Sequence, residues 1–180
     1  MSVLAPEITN GGTNPPKVEF TDEFTELLFD GKASGAEVTL NGDTAVEGKK
    51  ISDSTFTVDS GKTVFQTTKL NNVEVVAEPG STLDAKVNKG VVKNAKFTGN
   101  DGDDTVKFGG NTKIKDKVVV DLGEGANTTI INGKIVGDGK LVIKNFDDDD
   151  TIIFNGDTYS IDKDNLDELA GEGIKIKLED

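Results

Sequence analysis

The chain has 180 residues with 20 basic against 33 acidic side chains, a formal net charge of −13, and no His, Cys or Trp. Every basic residue is Lys, and there is no Arg. Without imidazole, thiol or guanidinium, Ser-His and Cys-His nucleophile systems, Cys/His zinc sites and bidentate phosphate forks are excluded. The negative charge, with aromatics at only 6%, speaks against nucleic acid as a partner.

An apolar share of 34% is low for a compact globule and suits an elongated shape with a thin core. No run approaches the roughly 18 apolar residues of a membrane span, and Met1 to Asn10 lacks the basic head and apolar stretch of a cleaved secretion signal. The expectation is a soluble chain without membrane contact. With no disulfide available, any staple has to come from repeated backbone ladders, metal ions or oligomer contacts.

In chain order, residues 1–19 carry Pro6, Gly11, Gly12, Pro15 and Pro16 with little periodicity. They read as an extended arm, either disordered or docked on a partner. Residues 20–35 read as an N-terminal cap: Phe20, Phe24, Leu27 and Leu28 fall at helical spacing, with acids in the first turn after a Thr21 cap, which predicts a helix over 20–29.

Residues 36–160 carry a repeat. Asp104-Thr105, Asn127-Thr128 and Asp150-Thr151 each open a run of the form Thr-x-x-apolar, with the threonines 23 residues apart both times. Phe97, Val120 and Ile143 fall seven positions before Asp104, Asn127 and Asp150, across a Gly- or Asp-rich turn. Upstream, Thr82, Thr63 and Thr44 continue the series at intervals of 23, 19 and 19. Ile51, Leu70, Val91-Val92, Ile114 and Ile135 lie midway, giving about three short strands per unit.

Short β-branched runs broken by Asn-Gly, at a period near 20, predict an all-β solenoid of about six rungs of 19–23 residues. The rival is a β-sandwich or meander, and the aligned threonines favour the coil. Stacking at about 4.8 Å would place Phe97, Val120 and Ile143 in one interior column and Phe108, Ile131 and Phe154 in another. Residues 161–180 read as a C-terminal cap: a short helix over Asp164 to Leu169, stopped by Gly171, then a final strand from Ile174 to Leu178 with Lys outward.

The turn Gly99-Asn100-Asp101-Gly102-Asp103-Asp104-Thr105-Val106 follows the nonapeptide G-G-x-G-x-D-x-U with Asn100 in place of the second Gly. It resembles the haemolysin-type (RTX) calcium-binding repeats. Leu141 to Ile152, an apolar strand leading into Asn145-Phe146-Asp147 and an acidic turn, is similar to the segment that often closes such domains. The resemblance covers about residues 95–160 and implies calcium held in a β-roll. RTX motifs recur every nine residues, whereas this chain has one good motif, a degraded one at Gly123 to Asn127, and rungs of 23.

The repeat would stack Asp101, Glu124 and Asp147 in one column and Asp104, Asn127 and Asp150 in another. Calcium takes six to eight oxygens, which Gly-rich turns can present. The candidate metal ligands are therefore Asp101, Asp103, Asp104, Glu124, Asn127, Asp147 and Asp150, against the reading of solvated acidic turns. No catalytic residue is assigned, since sugar-cleaving solenoids need aromatic platforms and basic clefts that one Tyr and scattered Lys do not make.

Two functions remain. A rigid acidic scaffold with an arm looks like the decoration, cement or fibre proteins of tailed-phage particles, assembled in the host cytoplasm and docked on protein partners in a capsid or surface lattice, a homo-oligomer included. That resemblance implies no required cofactor. The alternative is an extracellular RTX-like calcium-binding protein exported without a cleaved signal.

Overall fold

The computed structural model describes residues 17–19, 26–29, 31–160 and 163–178. Strands pair in parallel from one turn to the next along most of the chain, forming a β-solenoid of about six turns. Each turn lays down three ladders. The long strand Thr44–Val58 shows why: its pairing with Lys62–Ala77 is continuous except at Lys49 and Asp53, where the chain bends from the first ladder to the second and from the second to the third. The second bend recurs with positive φ at Gly35, Asp53, Asn72, Asn94 and Asp116. These are the residue types that tolerate left-handed backbone.

Alternation along each strand turns every second side chain inward. In the first ladder Leu27, Val46, Phe65, Val87, Phe108, Ile131 and Phe154 are successive register partners. In the second they are Ala33, Ile51, Leu70, Val92, Ile114 and Ile135. In the third they are Val38, Phe56, Val75, Phe97, Val120 and Ile143. The two interior columns expected from the sequence are present; only Phe154 and Ile135, near the far end, are partly exposed.

Core volume is shared in a regular way. Four successive turns carry one Phe each at these positions, on the third, first, third and first ladders: Phe56, Phe65, Phe97 and Phe108. Each opposes an aliphatic residue in its own turn, so a ring of one turn nests beside a ring of the next. Phe56 meets Phe65 edge-on at 5.2 Å and Phe97 meets Phe108 at 5.5 Å. Two Phe in one turn would overfill a narrow coil, and none would leave a void.

Three expectations are corrected. Residues 26–29 are strand and bridge, not helix: Leu27 is buried in register with Val46, and parallel pairing of Glu26–Leu28 outweighs the helical spacing of its apolar residues. The rest of the expected helix, residues 20–25, lies outside the described residues, and Lys32–Ser34 adds a second strand to this turn.

The threonines do not form one column. Thr44 pairs with Thr63, and Thr105, Thr128 and Thr151 pair together, but Thr63 faces Ala85 while Thr105 faces Asp84. The two sets differ by one residue, so Thr44 and Thr63 point inward and the later three do not. Thr82 precedes the strand altogether.

Third, of the Asn-Gly breaks read as steps of the coil, Asn155-Gly156 makes a hairpin instead. Both residues have positive φ, and Asp157–Tyr159 returns antiparallel to Thr151–Phe154, closing the first ladder. Near residue 170, helix α1 (Lys163–Gly171) buries Leu169, and Ile174–Leu178 adds a parallel strand to the third ladder, a helix and a strand in the expected order. At the other end Lys17–Glu19, the last residues of the stretch read as an arm, pair with Glu37–Leu40.

The packing makes two opposite predictions for successive inward positions of one strand. Phe65→Ala should lower unfolding free energy by roughly 3–5 kcal/mol through the void it leaves. The Thr63 hydroxyl is buried without a hydrogen-bond partner, so Thr63→Val should raise stability by about 1 kcal/mol. Denaturant midpoints at unchanged m-value check both; a stabilising Phe65→Ala would refute the packing argument.

Candidate functional site

The candidate residues lie on the corner that leads from the third ladder back to the first. This corner is wider than the other two and Gly-rich, because the chain must leave one strand, turn, and re-enter the next rung without a side chain colliding with the turn beneath it. Gly99 shows the constraint: a Cβ there would run into the Asp104 carboxylate and the Leu122 carbonyl.

Asp104, Asn127 and Asp150 are brought together as the repeat predicts. They are 0%, 3% and 6% exposed and form a vertical ladder. Asp104 Oδ1 accepts the Leu83 N–H at 2.6 Å, Asn127 Oδ1 accepts the Asp104 N–H at 3.0 Å, and Asp150 Oδ1 accepts the Asn127 N–H at 2.9 Å. Each side chain therefore satisfies a backbone donor of the turn before it.

The remaining polar atom of each side chain organises its own turn, and here Asp and Asn act oppositely. Asp104 Oδ2 accepts the Asn100 N–H at 2.8 Å and Asp150 Oδ2 accepts the Asp147 N–H at 3.1 Å. Asn127 Nδ2 instead donates toward the carbonyls of Gly123, Glu124 and Gly125 at 3.2, 3.4 and 3.0 Å. A carboxylate gathers N–H groups; an amide gathers carbonyl oxygens.

The other four candidates serve differently. Asp101 and Glu124 are exposed and Asp147 is half-buried. Asp103 is exposed and its Oδ1 accepts the Ala126 N–H at 3.0 Å. Asp147 Oδ1 accepts the Asp149 N–H at 2.9 Å within its own turn. Among the described residues no three acidic side chains are grouped to hold a metal ion.

The donor set of the ladder, as it stands, does not fit calcium. Both oxygens of Asp104 and of Asp150 face N–H donors, whose positive ends repel a cation, and the three carbonyls of the Asn127 turn converge on an amide nitrogen. Burial raises the Asp104 and Asp150 carboxyls above their ordinary value of 3.8, with neighbouring Asp103 and Asp147 adding to the shift and the N–H donors working against it.

The stitching extends upstream of the recognised motifs. Asp43 Oδ1 accepts the Lys62 N–H at 2.8 Å, Ser60 Oγ accepts the Gly42 N–H at 3.1 Å, and Asn100 Nδ2 donates to the Glu78 carbonyl at 2.7 Å. The sequence signal was Asn41-Gly42-Asp43 over Asp59-Ser60-Gly61, two Gly/Asp-bearing turns 18 residues apart. The Gly/Asx bend of the second corner was also legible: Gly35, Asp53, Asn72 and Asn94 each stand three residues before an inward residue of the third ladder.

No protein-family model, no curated protein and no solved structure matches the chain.

The carboxyl shifts fix the sign of the pH dependence. A carboxyl raised by folding contributes stability that is present below the unfolded value of 3.8 and is lost as pH rises through the folded value. Asp53 and Asp116 are lowered, chiefly by hydrogen bonds from Asn72 and Lys93, so their contribution is lost only below 3.8. Thermal midpoints should therefore rise as pH falls from 7 toward 4, and Asp104→Asn should flatten that slope. Gly99→Ala should cost about 1–3 kcal/mol at every pH. A midpoint that falls monotonically from pH 7 to 5 would contradict the assignment.

Proposed function

We propose that the chain is a non-enzymatic structural module of a larger protein assembly, of the decoration, cement or fibre type found on virus particles. It acts there as a stiff acidic spacer, assembled in the cytoplasm of a host cell. One observation carries this reading: the buried acidic and amide side chains that a binding or catalytic site would draw on are committed to holding backbone N–H and C=O groups of adjacent turns. Such a coil keeps its shape without a ligand, which is what a spacer between fixed partners requires.

The second reading is an extracellular RTX-like calcium-binding protein, and the turn Gly99 to Asp104 favours it by sequence. Calcium-dependent folding separates the two, because a metal-built module is unfolded without its ion. Circular dichroism in EDTA should match that in millimolar calcium, with the same thermal midpoint. A chain unfolded in EDTA and folded by calcium would overturn the structural reading.

Asn127→Asp supplies the contrast. It sets a carboxylate against the carbonyls of Gly123, Glu124 and Gly125, costing about 1–3 kcal/mol in EDTA. Calcium should restore part of that loss in the variant and add nothing to the parent chain.

A further inference from the structure

The charge of this molecule is sorted across the coil. The strands of the second ladder, Lys32–Ser34, 50–52, 69–71, 91–93, 113–115 and Lys134–Ile135, contain seven Lys and no acidic residue. Lys50, Lys69, Lys113 and Lys134 occupy one outward column, broken only by Val91, and Lys93 and Lys115 pair in the next. The first and third ladders are mixed, with Glu26, Glu47 and Asp84 outward on one and Glu37, Glu74 and Asp121 on the other. A basic face on a chain of net charge −13 is not an average property of its surface.

The corner from the third ladder to the first is the complement. Its turns 78–83, 99–104, 122–127 and 146–150 contain no Lys, and Asp101, Asp103, Glu124, Asp148 and Asp149 are exposed there. In a three-sided coil this corner lies across the core from the second ladder. The molecule therefore carries a basic face on one side and an acidic edge on the other, both running along the coil axis.

We propose that these two surfaces dock on each other between copies of the chain, the acidic edge of one copy lying along the basic face of the next with coil axes aligned. The proposal rests on the reading of the chain as a structural module and names one partner of that module as a second copy. The argument is complementarity of period as well as of sign. Both surfaces run along the same coil, so both present their charges at multiples of the rung spacing of about 4.8 Å, and the period of one matches that of the other apart from the gap at Val91. The contact joins two different surfaces, so it leaves one of each free and propagates into an open array instead of closing as a dimer.

The corner between the second and third ladders bounds the basic face. There Asp116 is paired with Lys93 at 2.6 Å, and Asp53 accepts hydrogen bonds from Ser34 and Asn72. These acids neutralise one margin and leave Lys50, Lys69, Lys113 and Lys134 as the contact column.

Net charge gives the association a signature in salt. At about 0.01 M salt the screening length is about 30 Å, and copies of charge −13 repel as wholes. At about 0.15 M it is about 8 Å, so only facing ladders interact, and at about 1 M those contacts are screened as well. Association should pass through a maximum near 0.15 M.

Sedimentation velocity on the full chain tests this, with two triple variants: Lys50→Glu/Lys69→Glu/Lys113→Glu on the face and Asp101→Lys/Glu124→Lys/Asp148→Lys on the edge. Each alone should weaken self-association at least tenfold at 0.15 M salt, and an equimolar mixture should restore it, because the reversed face of one then meets the reversed edge of the other. A parent chain monomeric at all three salt concentrations overturns the proposal. So does one that stays monomeric yet is retained on a dextran sulfate column through the same lysines, which would assign the face to a polyanion. Unchanged assembly in both variants overturns it too. Circular dichroism of every sample in EDTA keeps the outcomes apart: folded but unassociated chains end this proposal alone, whereas chains unfolded in EDTA end the structural-module reading beneath it.

Discussion

In-register parallel stacking is the constraint on which this molecule rests. Each residue lies about 4.8 Å above its equivalent in the previous turn, so whatever occupies a column is repeated against itself. Apolar side chains benefit from this repetition, and the interior is three apolar columns. Size is rationed along them: Phe56, Phe65, Phe97 and Phe108 change sides from turn to turn, which keeps the cross-section filled while no ring sits directly on another in the same column.

Charge is the group that such stacking penalises, and the coil deals with it in two ways. Where carboxylates are buried, each is interleaved with backbone donors, and Asn127 separates Asp104 from Asp150. The amide divides two like charges and reverses the polarity of its own turn, drawing carbonyls where the flanking turns draw N–H groups. Where charge is exposed, stacking is left to solvent and counter-ions, and it becomes a surface property: one lysine-bearing face and one acidic edge.

A coil of this kind needs no cysteine, histidine or arginine to hold its turns together. Its staples are short side chains reaching one turn up or down: Asp43 to Lys62, Ser60 to Gly42, Asn100 to Glu78, Asp104 to Leu83. Asp104 and Asp150, two of the acids that suggested a metal site by spacing, are acids that close these turns. A Gly-rich acidic turn in a coil can be explained by the backbone it satisfies, and the decisive detail is which atoms face the carboxylate.

The sequence by itself determined the coil. The 23-residue interval, the interior columns around Phe97 and Phe108, the midway row from Ile51 to Ile135, the stacked Asp104, Asn127 and Asp150 and the C-terminal helix and strand were all legible, because a repeating backbone imposes its period on composition. Tertiary structure decided what local pattern leaves degenerate. Leu27 and Leu28 fit a helical spacing as well as a strand, and the neighbouring turn chose the strand. A threonine at a regular interval fits either face of a strand, and a one-residue difference in register put Thr63 inside and Thr105 outside. Of the candidate ligands Asp104, Asn127 and Asp150 are stacked, and whether their oxygens met a cation or an N–H depended on turn geometry that spacing does not encode. The sorting of lysine to one face and acid to the opposite edge likewise became visible only once the turns were folded onto one another, since residues 19–23 apart in sequence are neighbours only in the coil.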